Sequence, residues 1–189
     1  MTRQAERAVG AGGTLPGVRT LLSDPPPPEI EQLLAERARL GLDRRDEIWD
    51  GVLHMAPAAL RRHADLQAQV IAILHGPARA AGLRAAGEFN LGHKGDYRIP
   101  DAALLEPGPD ELYVPSAALV AEILSPDDET PEKIPFYAAH HVDELLIVDP
   151  VKHTVDWLAL VEHGEYQAIE RSGLVDLGAA QLAEQLDWP

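Results

Sequence analysis

Cysteine is absent from all 189 residues. That excludes a disulfide frame, thiolate metal ligation and a cysteine nucleophile, and it leaves oxygen and imidazole as the only groups able to hold a metal. The chain also lacks any run of about eighteen apolar residues, and Met1-Thr2-Arg3-Gln4-Ala5-Glu6-Arg7 has none of the apolar stretch of a secretory signal. We therefore expect a soluble, cytoplasmic protein with no membrane association. Basic residues are few: 16 against 31 acidic ones, for a net charge of −15. This is the opposite of the footprint of a strong nonspecific DNA binder, so a nucleic-acid substrate would need a local basic patch, a bound metal or a partner. There is no His-Glu-x-x-His, no phosphate-binding glycine loop and no nucleophile elbow. His153 and His163 show no metal-ligand spacing with each other.

What is present suits one compact domain with an added arm, since a 46% hydrophobic content can build a sizeable core. Residues 1–28 end in Ser23-Asp24-Pro25-Pro26-Pro27-Pro28 and read as a flexible Pro/Gly-rich arm closed by a stiff polyproline spacer. The domain then spans 29–189. Ile30, Leu33, Leu34 and Ala38 recur at helical spacing over 29–40 and stop at Gly41. Two extended segments in 46–55 are joined by Asp50-Gly51, the dipeptide of a two-residue hairpin turn. The longest helix is expected over 60–74, with His63, Leu66, Gln67, Val70, Ile73 and Leu74 on one stripe, ended or kinked by Pro77.

Strands are expected over 83–91, 97–105 and 119–124. Thr130-Pro131-Glu132 reads as an N-cap, a first-turn proline and an acidic first turn, opening a helix over 131–140. A hairpin over 145–149 and 153–160, a strand over 165–170 and a helix over 179–186 complete the order. Strands and helices mix without strict alternation, which predicts an α/β domain with a mixed central sheet flanked by helices.

Two acids interrupt apolar strand-like runs: Asp101 in Ile99-Pro100-Asp101-Ala102, and Glu122 in Val120-Ala121-Glu122-Ile123-Leu124. Side-chain direction repeats every second residue in a strand, so neighbouring strands would set each carboxylate among aliphatic side chains, where an unpaired charge is costly. Two such carboxylates raise each other's pKa unless a cation sits between them, and a divalent metal resolves the conflict. The alternative is that each acid satisfies backbone donors or meets an arginine such as Arg98. Lys133, in the first turn of its helix, opposes the positive end of the helix dipole and stands one loop after the Glu122 strand, from where it could reach back over the strand's end. Tyr137 lies four residues on, either flanking the same cleft or packing on the sheet. His63 on its apolar stripe reads as a core histidine or a site residue. Glu88 reads as a cleft acid or a surface strand residue, and His140-His141 fits favourable capping at a helix end.

The order Glu47-Ile48-Trp49-Asp50-Gly51-Val52-Leu53, His63, Arg98-Ile99-Pro100-Asp101, Val120 to Pro126, Glu132-Lys133 with Tyr137, and Val142 to Pro150 resembles the Uma-type restriction endonuclease family, a branch of the PD-(D/E)xK nuclease superfamily. The resemblance covers roughly residues 29 to 189. It implies a restriction-endonuclease-like fold in which Asp101 and Glu122, with the backbone carbonyl of Ile123, bind Mg²⁺, with Mn²⁺ as a substitute. The superfamily's lysine stands two residues after the glutamate; here that position is Leu124, and Lys133 is its displaced substitute. Asp101, Glu122 and Lys133 would then form the catalytic set, with His63, Glu88 and Tyr137 around it. The activity implied is phosphodiester hydrolysis of nucleic acid, DNA in the first place, by a homodimer. Two other functions compete: a non-catalytic binding or regulatory module that keeps the fold, and a Mg²⁺-dependent hydrolase of a small phosphate ester.

Overall fold

The computed structural model describes residues 27–55, 59–125 and 129–189. The expected arm lies outside the described residues up to position 26. Its last proline, Pro28, opens helix α1 (Pro28–Leu40), where a missing N–H costs nothing, and Gly41 closes that helix in the left-handed conformation at φ 66°. Strands β1 (Glu47–Trp49) and β2 (Val52–His54) pair antiparallel around Asp50 at φ 47° and Gly51 at φ 80°, the double positive φ that a two-residue hairpin demands.

Helix α2 (Arg61–Ala80) continues past Pro77, where the sequence predicts an end or a kink. Pro77 falls in the final turn, where it removes the bond to the Ile73 carbonyl, yet the helix runs on to Ala80. The helix buries Leu66, Val70, Leu74 and Ala78, spaced at four. Two of the long expected strands are each broken in two. Residues 83–91 give β3 (Arg84–Ala86) and β4 (Asn90–His93); residues 97–105 give β5 (Asp96–Arg98) and β6 (Ala102–Leu105). The breaks fall at Gly87-Glu88-Phe89 and Ile99-Pro100-Asp101, and Pro100 has no N–H to give a ladder. Strand β7 (Tyr113–Val114), β8 (Leu119–Ile123), helix α3 (Thr130–Ala139), β9 (Glu144–Asp149), β10 (Thr154–Val161), β11 (Glu165–Ala168) and helix α4 (Ala179–Ala183) follow. Thr130 is the first helical residue of α3 rather than its N-cap; Glu129 holds that position without a side-chain cap bond.

The broken strands create two sheets where a single central one is expected. The larger runs β11-β10-β9-β8-β6-β3, and the smaller runs β2-β1-β5-β4-β7. Both are mixed, with β8 parallel to β9 and β4 parallel to β7. Every residue of β8 is buried, as a central strand covered on both faces must be. Leu119, Ala121 and Ile123 pack with the α2 stripe, Ala102, Leu104, Leu146 and Trp157. Val120 packs on the opposite face with Phe136 and Tyr137 of α3. Alternation therefore turns Glu122 toward α3, not α2.

Two anchors hold the periphery. Glu144, buried at the start of β9, accepts the indole N–H of Trp157 at 2.8 Å, the Ser172 hydroxyl at 2.6 Å and the Gly173 N–H at 2.6 Å, which fixes the C-terminal segment to the sheet. The Arg98 guanidinium lies over the rings of Trp49 (4.5 Å) and Phe136 (4.0 Å) and bonds Asp96 Oδ1 at 2.7 Å, joining the small sheet to α3. Its Nε is buried with no hydrogen-bond partner among the described residues. Gly92 allows this closeness: at φ 120° it would carry a Cβ 2.4 Å from the Asp96 carbonyl oxygen and 2.9 Å from Phe136.

Candidate active site

Glu122 projects from the last turn of the pleat in β8 toward α3 and is only 4% exposed. Its Oε1 accepts the Tyr137 hydroxyl and the Lys133 ammonium, the latter at 3.3 Å. Both donors fall on the same oxygen, Oε1. Burial pushes the Glu122 carboxyl up to about 7, against the pull of Lys133 and with the help of the Asp101 charge. The Tyr137 hydroxyl is raised well above its ordinary range, first by burial and then by Glu122, so it remains a donor.

Asp101 sits in the bend between β5 and β6, immediately before the paired segment. Its Oδ2 accepts the Ile123 N–H at 2.8 Å, which ties it to the residue after Glu122. Oδ1 lies 2.9 Å from His63 Nε2, and the backbone oxygen of Asp101 accepts Gln67 Nε2 at 2.7 Å. Helix α2 therefore grips Asp101 with two side chains one turn apart. His63 Nδ1 stands 3.2 Å from the Ser125 hydroxyl. The bond to Asp101 raises the His63 pKa and outweighs the opposing effect of burial.

Lys133 reaches from the first turn of α3 into the same region. Burial would lower its pKa, but Glu122 and Glu47 together outweigh that and keep the ammonium charged. Its second carboxylate partner is Glu47, whose Oε1 lies 3.0 Å from Nζ. Glu47 is a functional candidate that the sequence reading passes over as part of the hairpin. The available signal is the one that marks Asp101 and Glu122: an acid sharing a strand face with an apolar residue, here Trp49 two positions on. Gln67 and Ser125 also join the site without having been singled out.

The structure thus brings Asp101, Glu122, Lys133, His63 and Tyr137 together, with Ile123 supplying the N–H that joins the two acids. Glu88 is not among them. It lies in the break between β3 and β4, pairs with Arg45 at 2.6 Å, and makes no hydrogen bond or ion pair with Asp101, Glu122 or Lys133. Of the alternatives for the acids one is realised in part: Asp101 satisfies a backbone donor, while Arg98 pairs with Asp96 rather than with either acid.

The donor set fits a hard divalent cation. Two carboxylates stand on either side of one peptide, each with an oxygen that is not taken by a backbone donor, and Mg²⁺ commonly binds through one or two carboxylates while keeping several waters. Among the described residues no cluster of three or more His, Asp or Glu is arranged to hold a metal, so any such ion would depend on the two acids, a backbone carbonyl and solvent.

Comparison with known proteins gives three findings. No curated protein matches the chain. Among solved structures it is similar to a "putative nuclease belonging to DUF820 from Anabaena variabilis ATCC 29413", with a TM-score of 0.61 and 16% identity over 74% of this chain and 90% of that one, which shows a shared fold. A DrdV–DNA complex also matches, at a TM-score of 0.40 and 18% identity, over 82% of this chain and 12% of that one. A family model described as "Uma2: Putative restriction endonuclease" matches residues 28–186.

Proposed function

The chain belongs to the Uma2 restriction endonuclease family, and from that footing we propose that it is a metal-dependent nuclease that hydrolyses phosphodiester bonds, with DNA as its first substrate and Asp101, Glu122 and Lys133 as its working groups. The observation that carries this reading is the meeting of the buried Glu122 carboxylate with the part-buried Asp101 carboxylate, which accepts the N–H of the residue after Glu122, and one charged ammonium. Such a site is built to handle a hard cation beside a phosphate, and it serves no evident packing purpose, since two charges removed from water are costly to a fold.

Asp101, Glu122 and the Ile123 carbonyl would hold Mg²⁺, or Mn²⁺ in its place. When bound, that ion supplies Lewis-acid chemistry: a more acidic water and a more electrophilic phosphorus. The residues do the rest. Tyr137 fixes the rotamer of Glu122 by donating to Oε1, and Oε2 would be the oxygen offered to the ion. His63 and Gln67 fix Asp101 from α2. The Lys133 ammonium, held against Glu122, orients the attacking water and offsets the charge that builds on the phosphate in the transition state. Water adds to phosphorus and gives up a proton to solvent, the P–O bond to the leaving sugar oxygen breaks, and a proton from solvent ends on that oxygen.

A test is cleavage of supercoiled plasmid, with single-stranded DNA and RNA in parallel, in Mg²⁺, in Mn²⁺ and in chelator. We expect metal-dependent cleavage that Asp101→Asn and Glu122→Gln each reduce by at least 100-fold, with Mg²⁺ binding by calorimetry weakened in both. Full activity in either variant would remove that acid from the site. The second reading, a non-catalytic binding module, is favoured by Leu124 at the position of the usual lysine; under it the protein binds nucleic acid, but calorimetry detects neither Mg²⁺ nor Mn²⁺ at the acids.

A further inference from the structure

Lys133 rides on a different element from Glu122, and a lysine carries four rotatable bonds whose ordering opposes holding its ammonium in one place. An ammonium held by Glu122 alone would compete with any cation that the same carboxylate ligates. A second carboxylate outside the ligand pair removes that competition, and Glu47 is placed for the task. It is 6% exposed and fixed by three donors: Oε1 accepts the Ile99 N–H at 2.7 Å and the Lys133 ammonium at 3.0 Å, while Oε2 accepts the indole N–H of Trp49 at 2.6 Å. The indole is in turn stacked on His54 at 3.9 Å and covered by Arg98. The Ile99 N–H belongs to the segment that ends in Asp101. One rigid carboxylate therefore ties the backbone of the first acid to the ammonium that meets the second.

We propose that Glu47 is a positioning residue that holds the Lys133 ammonium at Glu122 and keeps it there when Glu122 takes up a metal. The proposal rests on the nuclease reading for its catalytic consequence but not for its geometry. A latch for the hairpin alone would need only the Ile99 and Trp49 bonds; the third, to a cation on α3, is the one that reaches the chemistry.

The test pairs kinetics with labelling of the full-length chain. Glu47→Gln removes the charge at nearly constant volume, and Trp49→Phe removes the donor that fixes Oε2 while leaving the charge, which guards against a Glu47→Gln protein that does not fold. In plasmid cleavage we expect Glu47→Gln to lower kcat 10- to 100-fold with KM changed less than threefold. The double variant Glu47→Gln/Lys133→Ala should be no slower than Lys133→Ala alone, because groups acting through one another are non-additive. Competitive acylation of lysines, read by mass spectrometry, should show Lys133 several-fold more reactive in Glu47→Gln and moderately more in Trp49→Phe. Additive losses, or unchanged Lys133 reactivity in a folded Glu47→Gln or Trp49→Phe protein, would overturn the proposal. If the unsubstituted protein cleaves nothing with either metal, the nuclease reading fails, and the labelling still decides whether Glu47 holds Lys133.

Discussion

Glu122 carries a charge whose cost can be measured. Its carboxyl is raised from 4.5 to about 7 in the folded, metal-free chain, so the folded state holds a proton that the unfolded state has released between those pH values. The penalty is absent below pH 4.5, grows as pH rises, and is complete above about 7, where it amounts to on the order of 3 kcal/mol. His63 acts in the same sense: its pKa is raised by Asp101, so the stability it lends is full below about 6.5 and fades as pH climbs through its raised value. Thermal unfolding in chelator should therefore give a higher Tm at pH 5 than at pH 8. Glu122→Gln should narrow that difference, and added Mg²⁺ should restore much of the Tm at pH 8. A flat profile from pH 5 to 8 would mean that Glu122 is not held in an unfavourable environment. At this scale Asp101 and Glu122 were legible because a lone acid in an apolar run is conspicuous. Glu47 was not, because a three-residue strand offers too little alternation to expose it and its lysine arrives from a distant helix.

The elements that place these side chains were legible in kind more than in extent. Asp50-Gly51 announced its hairpin because only a few residue types accept positive φ twice in succession. The α2 stripe announced its helix, but the periodicity said nothing about the helix continuing through Pro77 to Ala80. The two broken strands could not be read at all: an apolar run alternates equally well whether it serves one sheet or crosses between two, and the crossing is fixed by partners far along the chain. Glu144 shows how much such partners matter. Glu144→Ala would leave the Trp157 indole N–H and the Gly173 N–H without their acceptor, at a cost of roughly 2–4 kcal/mol. Urea unfolding should show that loss, and hydrogen exchange should quicken across residues 172–178 before the central strands respond.

For the molecule as a whole, a charge of −15 sets the conditions under which a polyanion can approach. Among the described residues Arg44, Arg61 and Arg62 form no ion pair. The two at 61 and 62 stand beside His63 in the first turn of α2, which contains no acid. Arg44 lines, with Glu88, Asn90 and Ile99, an open recess of about 330 Å³ beside the Asp101 segment. If these side chains meet phosphates, the affinity for a labelled duplex in chelator should fall steeply with salt. Arg61→Ala and Arg62→Ala should each lower the slope of log K against log salt by about 0.9, as anisotropy titrations at several salt concentrations would show. Unchanged slopes would shift nucleic-acid contact to another face. No helix among the described residues is long and apolar enough to cross a membrane.

The setting of Trp49 has a practical use. Its indole touches the latch carboxylate, a stacked imidazole and a guanidinium shared with α3. Any loosening between the hairpin and that helix must alter the ring's surroundings. With Trp157 and Trp188 replaced by phenylalanine, the emission of the remaining fluorophore would become a built-in gauge of whether the two halves of the cleft are closed on each other, readable in real time and without an attached dye.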